Sequence, residues 1–225
     1  ILAPAVLVLM EPNLGTTLML VVAGASVMFA AGGSLWYFGA VIGLIGAGVA
    51  GVFLLRGTPW QFLHDYQYRR IDTFLDPSAD PLGAGYNILQ AKIALGSGGM
   101  AGKGFMQGTQ SRLNFLPEKH TDFIFTTLGE EFGFVGAISL LTVYAAILIF
   151  LFWAAMQNKD RFSSLLLIGI AANFFLYLAV NLAMVMGMAP VVGVPLPFLS
   201  YGGSATLVLL LAFGLAQSAI VHRLR

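Results

Sequence analysis

Long apolar runs separated by brief polar breaks dominate both ends of the chain, and their lengths are the first thing to read. Crossing roughly 30 Å of hydrocarbon takes about 20 helical residues. Residues 14–31, 35–55, 132–153, 163–188 and 204–221 meet or approach that length, and 1–10 is a shorter stub. A backbone in lipid has to satisfy its own amides, so each run is expected to be a helix. The pattern predicts an all-α polytopic membrane protein of about five full transmembrane helices plus the N-terminal stub, forming a single membrane domain over 1–225. Ile1 opens inside an apolar run with no basic region and no small-residue cleavage pattern. Residues 1–10 therefore read as the end of a span rather than a signal peptide, with further helices expected upstream.

One connection departs from this pattern. Residues 57–131 hold most of the ionisable side chains, beginning with Arg56 at the edge and including Asp65, Arg69, Arg70, Asp72, Asp76, Asp80, Lys92, Lys103, Arg112, Glu118, Lys119 and Asp122. A structureless loop of this size is uncommon unless it is functional or disordered. Trp60, Phe62, Tyr66, Tyr68, Phe74, Tyr86, Ile88, Phe105, Phe115 and Phe123 give it apolar surface to pack, which argues against disorder. Short amphipathic helices at the membrane surface are expected, above all over 86–95. Basic residues in short loops set the orientation: Lys159 with Arg161 and Arg223 with Arg225 fall on one side by crossing count, taken as cytoplasmic. The large loop is then extracytoplasmic.

Composition sharpens the membrane reading and removes several chemistries. The chain is 58% hydrophobic and 9% charged with a mean hydropathy of +0.86, whereas soluble domains carry about 25% charge. Its 27 glycines suit close helix packing in lipid. With no cysteine there is no disulfide, thiol nucleophile or thiolate metal site. A net charge of +1 gives no reason to expect a nucleic-acid partner.

Three constellations carry candidate chemistry. Leu116-Pro117-Glu118-Lys119-His120-Thr121-Asp122-Phe123-Ile124-Phe125 places carboxylates, an ammonium and an imidazole just before a span. A carboxylate partly desolvated there suits a general base; equally, Thr121 or Asp122 caps the following helix, with Glu130 and Glu131 as interfacial solvation. The glycine-rich stretch from Gly96 to Gly104 carries Lys103 but fails the phosphate-loop pattern twice, with Ser97 at the first glycine position and Gly104 at the hydroxyl position. Turn-forming glycine and an anion-binding nest of exposed amides remain its two readings. From Met188 to Ser204, three prolines and several glycines interrupt an apolar stretch, giving either a re-entrant wall or a tight interhelical turn. Glu11, in Glu11-Pro12-Asn13-Leu14-Gly15-Thr16, is the first ionisable residue, and His64 and His222 show no ligand-like spacing.

These residues together resemble the SEDS family of shape, elongation, division and sporulation proteins. Glu11 to Thr16 is similar to its Gln-Pro-Asp-Leu-Gly-Thr element, with Glu for Gln and Asn for Asp. Tyr68-Arg69-Arg70-Ile71, Phe74-Leu75-Asp76-Pro77, Gly85-Tyr86-Asn87-Ile88-Leu89-Gln90 and Gly102-Lys103-Gly104 resemble the family's large extracytoplasmic loop, and 190–204 resembles its proline- and glycine-rich element ending in Ser200-Tyr201-Gly202-Gly203-Ser204. Gly108-Thr109-Gln110 followed by 116–125 is closer to the RodA branch than to the FtsW branch. The resemblance implies a ten-helix bacterial inner-membrane protein, of which this chain supplies the last five or six helices. It implies polymerisation of lipid II into glycan strands during elongation, with inversion at the anomeric carbon and release of undecaprenyl diphosphate.

The same resemblance implies that Asp122 is the essential acidic residue, and the chemistry makes it the base for the attacking sugar hydroxyl. Lys103, Arg112 and Lys119 are expected around the diphosphate, with Arg69 and Arg70 second. Glu118 is expected to position Lys119 or the acceptor, and Glu130 or Glu131 to orient the site, with Glu11, Ser200 and Tyr201 in support. No metal-ligand set is evident, although magnesium or manganese can assist a diphosphate leaving group. A class B penicillin-binding protein and the elongation machinery are the implied partners. A lipid II flippase or a non-catalytic scaffold are the rivals. A flippase needs polar residues within the spans, and these are scarce, with Asn173 and Asn181 the main examples.

Overall fold

The structure, a computed structural model, describes residues 2–10, 14–58, 65–76, 83–113, 115–116 and 120–222. Nine helices and no strands form among them: α1 (Leu2–Met10), α2 (Leu14–Ala30), α3 (Leu35–Leu54), α4 (Asp65–Leu75), α5 (Ala84–Ser97), α6 (Thr109–Arg112), α7 (Ile124–Gln157), α8 (Arg161–Val185) and α9 (Gly203–Val221). α3, α7, α8 and α9 are long and apolar enough to cross a membrane. α2, expected as a fifth full span, has 17 residues and reaches only about 25 Å.

α8 is the centre of the bundle, packed against α7, α2 and α9. Its buried residues include Leu167, Ala171, Phe174, Leu178, Met184 and Val185. Phe123, Phe125, Tyr144, Phe174 and Leu196 join in one core cluster that ties α7, α8 and the chain after α8 together. By contrast Leu35, Trp36, Ile42, Leu44 and Leu54 on α3 are exposed, a face with no hydrophobic driving force toward other helices once it sits in lipid.

The large loop folds. α4 is clamped to the end of α3: Arg56 donates to both carboxylate oxygens of Asp72 at 2.7 and 2.6 Å. The guanidinium lies 5.2 Å from the Tyr68 ring centroid, and the Tyr68 hydroxyl donates to the Val52 carbonyl at 3.0 Å. α5 contains the helix expected over 86–95. Instead of resting only on the membrane surface, it buries Ile88, Ala91 and Ala94 at helical spacing, packing against α7.

α7 has 34 residues, about 50 Å, and is broken at Gly133, where φ is 66° and ψ −162°. The glycine-rich stretch fills this break. Lys103 and Gly104 amides donate to the Glu130 and Glu131 carbonyls at 3.0 and 2.9 Å, and the Phe134 and Val135 amides donate back to Gly99 and Met100 at 2.9 and 3.1 Å. A Cβ on Gly133 would run into the Gly102 amide. Close approach and backbone conformation therefore both require glycine. These amides bond to protein carbonyls, which removes them from the anion-nest reading of the sequence.

Candidate active site

The chain between α8 and α9 contains Pro190, Pro195 and Pro197 and cannot continue a helix. Several of its backbone groups are satisfied from other elements. Asn181 of α8, fully buried, donates to the Val194 carbonyl at 2.7 Å. Arg70 of α4 donates to the Val191 carbonyl at 3.1 Å, and the Tyr144 hydroxyl of α7 donates to the Pro197 carbonyl. The Leu196 amide donates to Ser200 Oγ at 2.7 Å. Val194, Leu196 and Ser200 are buried. Irregular backbone covered by protein in this way is a wall rather than a simple interhelical turn. Phe198 holds a positive φ of 62° within it, a strained conformation for a non-glycine residue.

Asp122 is built against this wall. Asn181 Nδ2 donates to the Asp122 carbonyl at 2.9 Å as well as to Val194. Ser200 Oγ donates to the Thr121 carbonyl at 2.6 Å, and the Tyr201 amide donates to the His120 carbonyl at 2.8 Å. Three consecutive carbonyls, 120 to 122, are thus held by groups remote in sequence. The carboxylate is half-buried, beside buried Phe123 and Phe125, and its Oδ2 lies 3.6 Å from where a Gly193 Cβ would stand. The N-cap of α7 is Phe123, with no side-chain cap bond, so neither Thr121 nor Asp122 takes the expected capping position.

A second polar centre lies across α6. The Glu130 side chain has no solvent exposure, yet it accepts from Lys103 Nζ at 2.7 Å, Thr109 Oγ1 at 3.1 Å, the Gln110 amide at 3.0 Å, and the Ser111 amide and hydroxyl at 3.3 and 3.4 Å. Lys103 also donates to Thr109 Oγ1 at 2.7 Å. Buried charge is tolerated when paired and hydrogen-bonded in this manner. Glu130 is therefore a structural anchor for 103–111, far from the interfacial solvation that the sequence also allowed.

The structure gathers Asp122, Arg70, Ser200 and Tyr201 on one wall, where Gly15 also lies against Val192. Tyr201 contributes its amide, while its side chain is 82% exposed. Lys103 and Glu130 form the second centre; Glu131 is half-buried and contributes its carbonyl to Gly104, while Arg69 and Arg112 are exposed. Glu11, Glu118 and Lys119 lie outside the described residues. Asn181 and Tyr144 escaped the sequence reading as site residues, although each is an isolated polar group in an apolar span. Beside Ser200, a cavity of about 270 Å³ opens between α8 and α9, lined by Phe174, Tyr177, Leu196, Phe198 and Leu209. No group of three His, Asp or Glu side chains among the described residues is placed to hold a metal ion.

With this geometry in place, comparison with known proteins becomes specific. The profile of a family described as "Cell cycle protein", covering FtsW, RodA and SpoVE, matches residues 1–224. Peptidoglycan glycosyltransferase MrdB of Escherichia coli K12 is 47% identical over 99% of this chain and 59% of its own length. MrdB of Helicobacter pylori 26695 is 36% identical over 98% and 55%. A probable peptidoglycan glycosyltransferase FtsW of Trichlorobacter lovleyi is 40% identical over 93% and 52%. A solved structure described as "Structural coordination of polymerization and crosslinking by a peptidoglycan synthase complex" superposes with a TM-score of 0.73 at 30% identity, over 96% of this chain and 57% of that one. The chain spans less than three fifths of these relatives, and its long apolar helices make it a multi-pass membrane protein. It belongs to the FtsW, RodA and SpoVE family of cell cycle proteins.

Proposed function

We propose that this chain carries the catalytic wall of a peptidoglycan glycosyltransferase that polymerises lipid II on the extracytoplasmic face of the bacterial inner membrane. The observation that carries the reading is the convergence on Asp122: three successive carbonyls around it are fixed by Asn181, Ser200 and the Tyr201 amide. Such fixing is what a base needs in order to meet a hydroxyl at a set distance.

In this reading Asp122 accepts the proton of the acceptor sugar hydroxyl as that oxygen attacks the anomeric carbon of the donor. The carbon–oxygen bond to the diphosphate breaks, its electron pair leaves with the diphosphate, and the centre inverts. Arg70 stands next to the wall as a cation for the departing charge, with Arg69 and Arg112 as exposed cations elsewhere in the loop and Lys119 in the same sequence element as Asp122. Glu118 positions Lys119 or the acceptor, and Glu11 supports the element that ends against Val192. Lys103 reaches the diphosphate only by leaving Glu130. The apolar cavity beside Ser200 suits the hydrocarbon of a lipid-anchored substrate. Magnesium or manganese is compatible with a diphosphate leaving group, but the described residues offer it no ligand set, and no step is derived through it. A class B penicillin-binding protein fits as partner, in keeping with the synthase complex whose fold this chain shares.

The deciding measurement is lipid II polymerisation by the full-length protein with its penicillin-binding partner, whose own glycosyltransferase activity is disabled. Asp122→Asn is expected to lower polymer formation by about 10²- to 10⁴-fold, the usual worth of a positioned base, with folding and partner binding retained. Undiminished polymer would leave transport or scaffolding as the function.

A further inference from the structure

We propose that Lys92 of α5, together with Arg70 of α4, forms the diphosphate clamp of this site, in place of Lys103. The inference rests on the glycosyltransferase reading and adds to it a residue that the loop motifs alone did not single out.

Lys92 is exposed, and among the described residues its ammonium has no hydrogen-bond or ion-pair partner. It nevertheless has a defined place. Its Nζ and Cε lie over Gly187, where any Cβ would overlap both atoms. Gly187 follows the end of α8 with φ 67°, at the start of the wall that continues to Val191 and Gly193.

A lysine near the end of a helix ordinarily serves its last carbonyls. Here much of that work is already done by the chain itself. The Met186 amide donates to the Leu182 carbonyl, the Gly187 amide to Met184, and the Met188 and Ala189 amides to Ala183. Among the described residues the Lys92 donors are thus left uncommitted.

Arg70 reaches the same wall from α4 at Val191, and Asp122 meets it at Gly193. Two cations therefore flank the segment 187–193, whose far end meets the candidate base. Lys103, by contrast, is neutralised by Glu130. A diphosphate with two or more negative charges is the ligand that a bare ammonium and a guanidinium beside a base would recognise. An anionic phospholipid headgroup shares this phosphate chemistry, so the test has to separate the two.

The probe is undecaprenyl diphosphate, titrated in detergent against the full-length protein and followed by direct binding rather than by turnover. Lys92→Gln is expected to bind it about tenfold more weakly, the usual loss for one charged hydrogen bond, with the thermal midpoint unchanged. Lys92→Arg should retain most of the affinity, and phosphatidylglycerol should not compete. Equal affinity of Lys92→Gln and wild type would overturn the Lys92 assignment alone. Equal competition by phosphatidylglycerol would make the patch a general lipid-headgroup contact and overturn it as well. Absence of saturable binding in the wild type would remove the glycosyltransferase reading, and the clamp with it.

Discussion

Glu130 and Asp122 lie eight residues apart in sequence, but their surroundings impose different duties. Glu130 is sealed from solvent by donors from α6 and Lys103, whereas Asp122 is held by its backbone and keeps a half-open carboxylate. Replacing Lys103 with Met would leave a buried carboxylate without its counter-ion. The expected cost is about 3 kcal/mol, the lower end for breaking a buried pair because the neutral donors remain. A fall in the thermal midpoint of the purified protein would show it, and adding Glu130→Gln should recover part of the loss. Sequence spacing marked the polar cluster around Asp122 at a span boundary but left it between base and helix cap, and only the family resemblance singled out Asp122. Spacing could not separate Glu130 from Glu131, since only burial distinguishes two adjacent carboxylates. Lys103 looked like a phosphate ligand for the same reason: its partner is 27 residues away, beyond any local pattern.

Among the elements, α7 shows how a legible signal became misleading in detail. Its apolar run placed the expected span at 132–153, close to the true break at Gly133, but the helix begins earlier, at Ile124. The extra turns exist because α5 and the 98–104 loop cover them, a tertiary effect that hydropathy does not contain. Gly133→Ala should cost more than about 2 kcal/mol, since its backbone conformation is essentially restricted to glycine and the new Cβ would meet the Gly102 amide. Reduced yield of monodisperse protein after heating would register that loss, while Gly43→Ala on α3, where a Cβ meets nothing, should be silent. The α3–α4 clamp makes a different prediction. The Arg56 guanidinium, hydrogen-bonded to Asp72, holds that carboxyl below its ordinary range. Its contribution is complete above the unfolded carboxylate value of about 3.9 and disappears as pH falls through the lower folded value. Protection of α4 amides, corrected for the intrinsic pH dependence of exchange, should therefore be insensitive to this pair between pH 5 and 8 and fall below about pH 4, with salt weakening the exposed pair throughout.

For the molecule as a whole, the membrane class followed from apolar length alone, as did four of the five expected spans, while α2 fell short of a full crossing. The wall between α8 and α9 did not, because proline and glycine stop a helix without saying what will cover the chain that follows. Its cover comes from Arg70, Tyr144 and Asn181, residues separated from it or from one another by most of a helix or more. The absence of cysteine makes the orientation directly testable. A single cysteine at Met106 should react with an impermeant maleimide on intact spheroplasts, and one at Lys159 only after lysis; the reverse result would invert the topology. The bonds from Ser200 and Tyr201 to residues 120 and 121 also have a bearing on biosynthesis. Asp122 leaves the ribosome long before its clamps do, so a nascent chain halted ahead of Ser200 has the carboxylate but not the geometry. Translation must run past Ser200 and Tyr201 before these bonds can form, so the geometry around Asp122 is set only after α7 and α8 have been made.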